Sequence, residues 1–197
     1  MIKRLFILVL FFIGFSLFSQ NVSHYSAFKV YNDIITAIGN TNPRAPNLVI
    51  KNTSSNPAAY YPVKNIVRIE EKLLNVCYNF GKDSLNVLSY ILAHELAHHY
   101  QNHGYTSKFA ALDFSKDIDE KQEKSQQKID DETQADVYAG FYSHIAGYDA
   151  LSKADLFLDK IYKAYNLPDN LPNYPTLSQR KLIINENKKT FEELRYL

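Results

Sequence analysis

His94, Glu95 and His98 stand in the run His-Glu-Leu-Ala-His-His, and their spacing constrains the chain more than any other feature. On an α-helix of 3.6 residues per turn, positions four apart lie about 40° from each other, so both imidazoles face the same point. Glu95, about 100° from His94, lies close enough to act on a water at a metal ion without being a ligand. The run therefore predicts a helix that carries two metal ligands and a base. It also demands a second element, because a reactive metal site commonly takes three protein ligands and leaves one position open.

The candidates for the third ligand are His24, His99, His103, Glu132 and His144. If the helix continues, His99 falls about 140° and His103 about 180° from His94, on the face of Leu85, Leu92 and Leu96. Both are then expected to point away from the metal. Glu132 opens Glu-Thr-Gln-Ala-Asp, and its predicted helix has a face of small residues. Ala135, Ala139, Ser143 and Ala146 lie within about 60° of Glu132, and Gly140 within about 80°. Such a stripe lets two helices approach toward the short end of the usual ~8–10 Å, and Ala93 and Ala97 offer a matching surface beside His94. Close approach is what a Glu side chain needs to reach a metal held by the other helix. Asp136, one turn on, could then accept a hydrogen bond from the far nitrogen of a ligand histidine. The alternative for Glu132 is a solvated carboxylate at a helix start. His24 and His144 have no such context and read as structural or surface residues.

Around these helices the pattern predicts an α+β domain, mainly helical, with a small sheet of about three strands. A helix over 24–38 carries Phe28, Tyr31, Ile35 and Ile38 at helical spacing and ends at Gly39. Short strands are expected at 47–51, 58–61 and 65–70, then a short helix near 71–78. The histidine helix is expected to start at Asp83 or Ser84, either able to cap it, and to run to about Asn102, where Gly104 ends it. Residues 115–131, dominated by Lys, Asp, Glu and Gln, read as a solvated helix or mobile loop. Helices follow from about Asp131 to Ala146, from about Ser152 to Tyr165, and from about Ser178 after a proline-rich turn.

The first residues read differently. Met1 to Arg4 is basic, Leu5 to Phe18 is an apolar run of 14, and Ser19 to Asn21 is polar. That layout predicts a signal peptide over 1–19 and an exported single domain over 20–197. The run falls short of the ~20 residues that span a bilayer; an uncleaved anchor through residues 5–18 is the alternative, and membrane contact is expected only then. Without Lys3 and Arg4 the 22 basic residues become 20, against 21 acidic. No basic patch predicts nucleic acid as a partner. The single cysteine, Cys77, cannot form an internal disulfide and reads as a buried thiol.

With His-Glu-Leu-Ala-His at 94–98 and Glu-Thr-Gln-Ala-Asp at 132–136, the chain resembles the gluzincin family of CaaX prenyl proteases and HtpX-like bacterial peptidases. Asn56-Pro57-Ala58-Ala59-Tyr60 is similar to that family's Asn-Ala strand motif. Ala135-Asp136 through Ala146-Gly147-Tyr148-Asp149 is similar to its AD…AGYD segment, and Tyr174 to Arg180 occupies the place of its HP…R motif. The resemblance covers roughly residues 25 to 190. It implies a zincin-like fold and one zinc ion held by His94, His98 and Glu132. It further implies Glu95 as catalytic acid/base, Asp136 as a supporting residue and Arg180 near the site. The chain departs from the family at Tyr174, which replaces a histidine thought to stabilise the oxyanion; a tyrosine hydroxyl can also donate to a developing negative charge.

These readings converge on a zinc-dependent endopeptidase acting on polypeptides, with Glu95, Tyr174 and Arg180 as catalytic candidates. The strand near 65–70 is expected to align a peptide by edge addition. The alternative function is a zinc-containing peptide-binding or chaperone-like module with little turnover.

Overall fold

The computed structural model describes residues 23–39, 45–53, 56–103 and 118–194. The expected signal peptide lies outside them, as do residues 115–117 and Gly104. The chain order is α1 (His24–Ile38), β1 (Asn47–Lys51), β2 (Ala58–Tyr61), β3 (Ile66–Glu70), α2 (Glu71–Tyr78), α3 (Ser84–Tyr100), α4 (Ile118–Ile145), α5 (Ala154–Tyr165) and α6 (Leu177–Leu194), with short 3-10 turns between some of them. The expected mainly helical α+β architecture with a three-stranded sheet is what the chain adopts.

Helix α1 is capped at both ends by its own sequence. The Ser23 hydroxyl accepts from the Ser26 N–H at 3.1 Å, and Gly39, at φ 73°, donates its N–H to the Thr36 carbonyl. Its buried face is Ala27, Val30, Tyr31 and Ile34, one position round from the expected stripe. Phe28 points to solvent at 42 % exposure, because the helix turns the face of Ala27, Tyr31 and Ile34 to the core.

The sheet has the order β1-β3-β2. β1 runs parallel to β3, Leu48 opposite Val67 and Ile50 opposite Ile69, while β2 runs antiparallel, Ala58 opposite Ile69 and Tyr60 opposite Val67. β3 is therefore the central strand with both edges paired, which overturns the expectation that it adds a peptide. The edge role passes to β2. Pro57 accepts from the Glu70 N–H, so by antiparallel alternation residues 57, 59 and 61 face β3 while Ala58 and Tyr60 turn their backbone groups outward. Buried Glu70 pins the approach to β2, accepting from the Thr53 hydroxyl at 2.8 Å and the Asn56 N–H at 3.1 Å.

Helix α3 runs through the centre. Every residue from Val87 to His98 is buried, the condition of a helix enclosed on all sides. It packs most extensively on α4, and also on α1, α2 and β2. No side chain caps its start: Asp83 makes no cap hydrogen bond, and the helix grows out of a 3-10 turn over Gly81–Asp83. Its end also departs from expectation. Asn102 adopts the left-handed conformation at φ 55° and donates to the His99 carbonyl, while the His103 N–H returns to the His98 carbonyl at 3.0 Å. That pair of bonds is a Schellman cap, which stops the helix before Gly104.

Helix α4 begins thirteen residues earlier than the apolar pattern suggests, at Ile118. The charged stretch is rich in Lys, Glu and Gln, all good helix formers, and Gln126–Asp130 and Gln127–Asp131 hydrogen bonds span single turns. Glu132 is consequently mid-helix, so the helix-start reading of its carboxylate does not apply. At α6 a capping box forms: Gln179 donates its N–H to the Thr176 hydroxyl, and Thr176 donates its N–H to the Gln179 side chain. This fixes the register at Leu177 and places Arg180 on the first turn. Among the described residues no helix is long and apolar enough to cross a membrane.

A candidate metal centre between two helices

Small side chains set the distance between α3 and α4. Ala93 and Ala97 on one helix, and Ala135, Ala139 and Ser143 on the other, are fully buried. Gly140 serves a different contact, since a Cβ there would meet the Leu151 side chain at 2.9 Å. The approach brings His94, His98 and Glu132 together, all at most 1 % exposed.

Their donor atoms face one another. The Nε2 atoms of His94 and His98 are 3.2 Å apart. Glu132 Oε2 is 3.3 Å from His94 Nε2, and Oε1 is 3.8 Å from His98 Nε2. Ligands held at ~2.0–2.1 Å by a tetrahedral ion are about 3.3 Å from each other, so the spacing fits. Proton bookkeeping agrees. Asp136 Oδ1 lies 2.9 Å from His94 Nδ1, and a carboxylate there accepts from a proton-bearing nitrogen, so in the neutral ring Nε2 is the nitrogen left to a metal ion. Among the described residues, buried Glu132 Oε2 has no hydrogen-bond partner besides the His94 ring. With both rings neutral, the two Nε2 atoms and the Glu132 carboxylate offer three donor atoms to one cation.

Asp136 is itself held from three sides. Arg180 donates through Nε to Oδ2 at 2.7 Å and through Nη2 to Oδ1 at 2.6 Å, and the Tyr90 hydroxyl donates to Oδ1 at 2.9 Å. Burial alone would raise this carboxyl, but Arg180 and His94 hold it well below the usual carboxylate range. The expected support residue is thus in place. Arg180 reaches the site through Asp136, and the buried pair sits behind His94. Tyr90 escaped the sequence reading although it lies four residues before His94, on the same helical face.

His103 also escaped it. A helix continued past Tyr100 places this residue opposite His94, but the left-handed turn at Asn102 folds it back. His103 Nδ1 lies 2.8 Å from His98 Nδ1, and its Nε2 lies 2.7 Å from Gln134 Oε1. His99 does turn away, its Nδ1 paired with the Tyr60 hydroxyl at 2.9 Å. His24 sits at the surface beside Glu71, and His144, also exposed, leans on the Phe191 ring.

Glu95 is fully buried and receives a hydrogen bond from the Tyr60 backbone, so the outer edge of β2 abuts it. Burial is the largest influence on its carboxyl. His94 opposes that effect, Glu132 adds to it, and the result is a pKa pushed up to about 8 in the metal-free protein. At His94 burial disfavours the charged ring, but Asp136 and Glu132 outweigh it and raise the pKa to about 9. His98 is pushed down, first by burial and then by the neighbouring His94 and His103 rings. The cluster thus wants one positive charge among its carboxylates, which a divalent ion satisfies.

Tyr174 is buried with Tyr162 and Leu171 in a small apolar cluster, and the Lys128 ammonium sits 4.4 Å from its ring centre. Cys77 is free and buried; burial pushes its thiol up, as expected of an inert core residue.

No curated protein and no solved structure matches the chain. Residues 52–171, more than half of the chain, match the family described as "Putative neutral zinc metallopeptidase", a stretch that includes β2, both metal-bearing helices and all three converging donors. The chain belongs to that neutral zinc metallopeptidase family, and zinc is its cofactor.

Proposed function

We propose that the chain is a zinc endopeptidase of the gluzincin class, allied to CaaX prenyl proteases and HtpX-like peptidases. His94, His98 and Glu132 are the ligands and Glu95 is the general acid/base. The observation that carries this reading is the convergence of the His94 and His98 Nε2 atoms and the buried Glu132 carboxylate beside a second buried carboxylate, Glu95. A purely structural zinc site has no need of Glu95.

Zinc, when bound, supplies Lewis acidity and a water whose pKa falls toward ~7. Glu95 takes a proton from the attacking water onto its carboxylate and delivers it to the leaving amine. On the outer edge of β2 the Tyr60 N–H donates to Glu95 and orients its carboxylate beside the ligands. Asp136 keeps the proton on His94 Nδ1 and so keeps Nε2 toward the ligand cluster. Arg180 is a positioning residue, acting through Asp136. The Tyr174 hydroxyl is the donor to the developing oxyanion, a role supported by the resemblance of residues 174–180 to the family motif.

Digestion of casein with and without a chelator tests the reading. Glu95→Gln is expected to retain one zinc per chain and to lose about 10²–10⁴-fold in activity. Full zinc-dependent proteolysis by that variant would sink the mechanism. Inactivity of zinc-loaded wild type would favour the peptide-binding module instead. Tyr174→Phe is expected to lower kcat by about 10²–10³ if its hydroxyl serves the oxyanion. We also propose export with removal of residues 1–19, checked by the intact mass of the mature N-terminus; retention of residues 5–18 would indicate an anchor.

A further inference from the structure

We propose that His103 is a positioning residue that orients the zinc ligand His98 and ties its helix to the helix bearing Glu132. The inference rests on the metal reading above and extends it to a residue beyond the His94–His99 run. A ligand histidine bound through Nε2 must carry its remaining proton on Nδ1, where a hydrogen-bond acceptor fixes both tautomer and ring orientation. For His94 that acceptor is Asp136. For His98 the atom at that position, among the described residues, is His103 Nδ1, at 2.8 Å.

With His98 bound through Nε2, the direction of each proton along this path follows. His98 Nδ1–H donates to His103 Nδ1, so the His103 proton lies on Nε2. That proton points at Gln134 Oε1, 2.7 Å away, with Asp131 Oδ1 at 3.8 Å. Gln134 and Asp131 flank Glu132 on α4, so the path starts at one ligand and ends beside another. The backbone explains why His103 can do this: in the Schellman cap His103 occupies C″ and His98 occupies C3, the two positions whose side chains meet in this motif. Here the usual apolar contact is replaced by a hydrogen bond between two imidazoles. His103 is 6 % exposed, so water competes weakly for its nitrogens.

The test is zinc affinity, measured by competition with a chromophoric chelator on wild type, His103→Ala, His103→Gln and Gln134→Leu, alongside the melting temperature of each metal-free protein. His103→Ala is expected to bind zinc about 10–100-fold more weakly. His103→Gln should recover most of that loss, because a carboxamide can both accept from His98 and donate onward. Gln134→Leu, at an exposed position, should show a smaller loss in the same direction. If His103→Ala does not fold, the other two variants decide the matter. Affinities within twofold of wild type for His103→Ala and Gln134→Leu, or a His103→Gln variant much weaker than wild type, would overturn the inference. Absence of zinc uptake by wild type would overturn the metal centre itself, and this inference with it.

Discussion

Asp136 shows how much one carboxylate can organise. Four donor contacts from His94, Tyr90 and Arg180 converge on its two oxygens, so each of those side chains has one orientation left. Asp136→Asn puts an amide where both oxygens accept, and is expected to weaken zinc binding about 10–100-fold by chelator competition. Arg180→Leu leaves the Asp136 charge buried without its main partner. Urea unfolding of the metal-free variant should show a loss of about 3–5 kcal/mol; a loss under ~1 kcal/mol would mean that solvent reaches the pair. At this scale the sequence is uneven. His94, Glu95, His98, Glu132 and Asp136 were legible because spacing alone puts them on shared helical faces. The Arg180–Asp136 contact was not, because the two residues are 44 apart and only helix packing joins them.

At the scale of elements, ends decide placement. The left-handed Asn102 that turns His103 inward is a position where Asn and Gly are tolerated and β-branched residues are not. Asn102→Val is expected to cost about 1–2 kcal/mol, while Asn102→Gly should be near neutral; thermal melts of the metal-free proteins separate the two. A second tie joins α1 to the turn after α4: Asp33 accepts from Lys29 at 2.6 Å and from the Tyr148 hydroxyl at 2.5 Å. Those two bonds hold the Asp33 carboxyl below its usual range. A depressed folded pKa contributes stability that is present above the unfolded value, ~3.9, and is lost as pH falls through the folded one. Tyr148→Phe should therefore melt slightly below wild type at pH 7, with the gap closing below about pH 4. A gap that persists in acid would assign the effect to packing. The strands and most helix bounds were legible from local alternation and turn residues. The start of α4 was not, because a charged helix and a charged loop have the same composition.

The whole molecule is arranged so that a helix enclosed on all sides carries the reactive groups. One apolar cluster running from Ala27 to Ile184 surrounds α3, and the water-poor setting strengthens every charge interaction among the ligands. Zinc bound only by the folded state should raise stability by about 2.7 kcal/mol at a free concentration 100 times its Kd. The corresponding rise in melting temperature should vanish on adding chelator and be absent in Glu132→Ala.

The sequence by itself determined what is periodic: the helix of His94 and His98, the small-residue face that admits Glu132, three short strands and a core thiol. Helical and strand repeats are local properties, written in residues a few positions apart. Tertiary structure alone decided which strand is the edge, which way His103 points and where Arg180 is anchored. Strand order depends on pairing between segments that no periodicity links. His103 depends on a change of backbone hand that ends the very helix from which its direction was extrapolated. The metal pattern identified two histidines, and the fold supplied the partners that hold each proton in place.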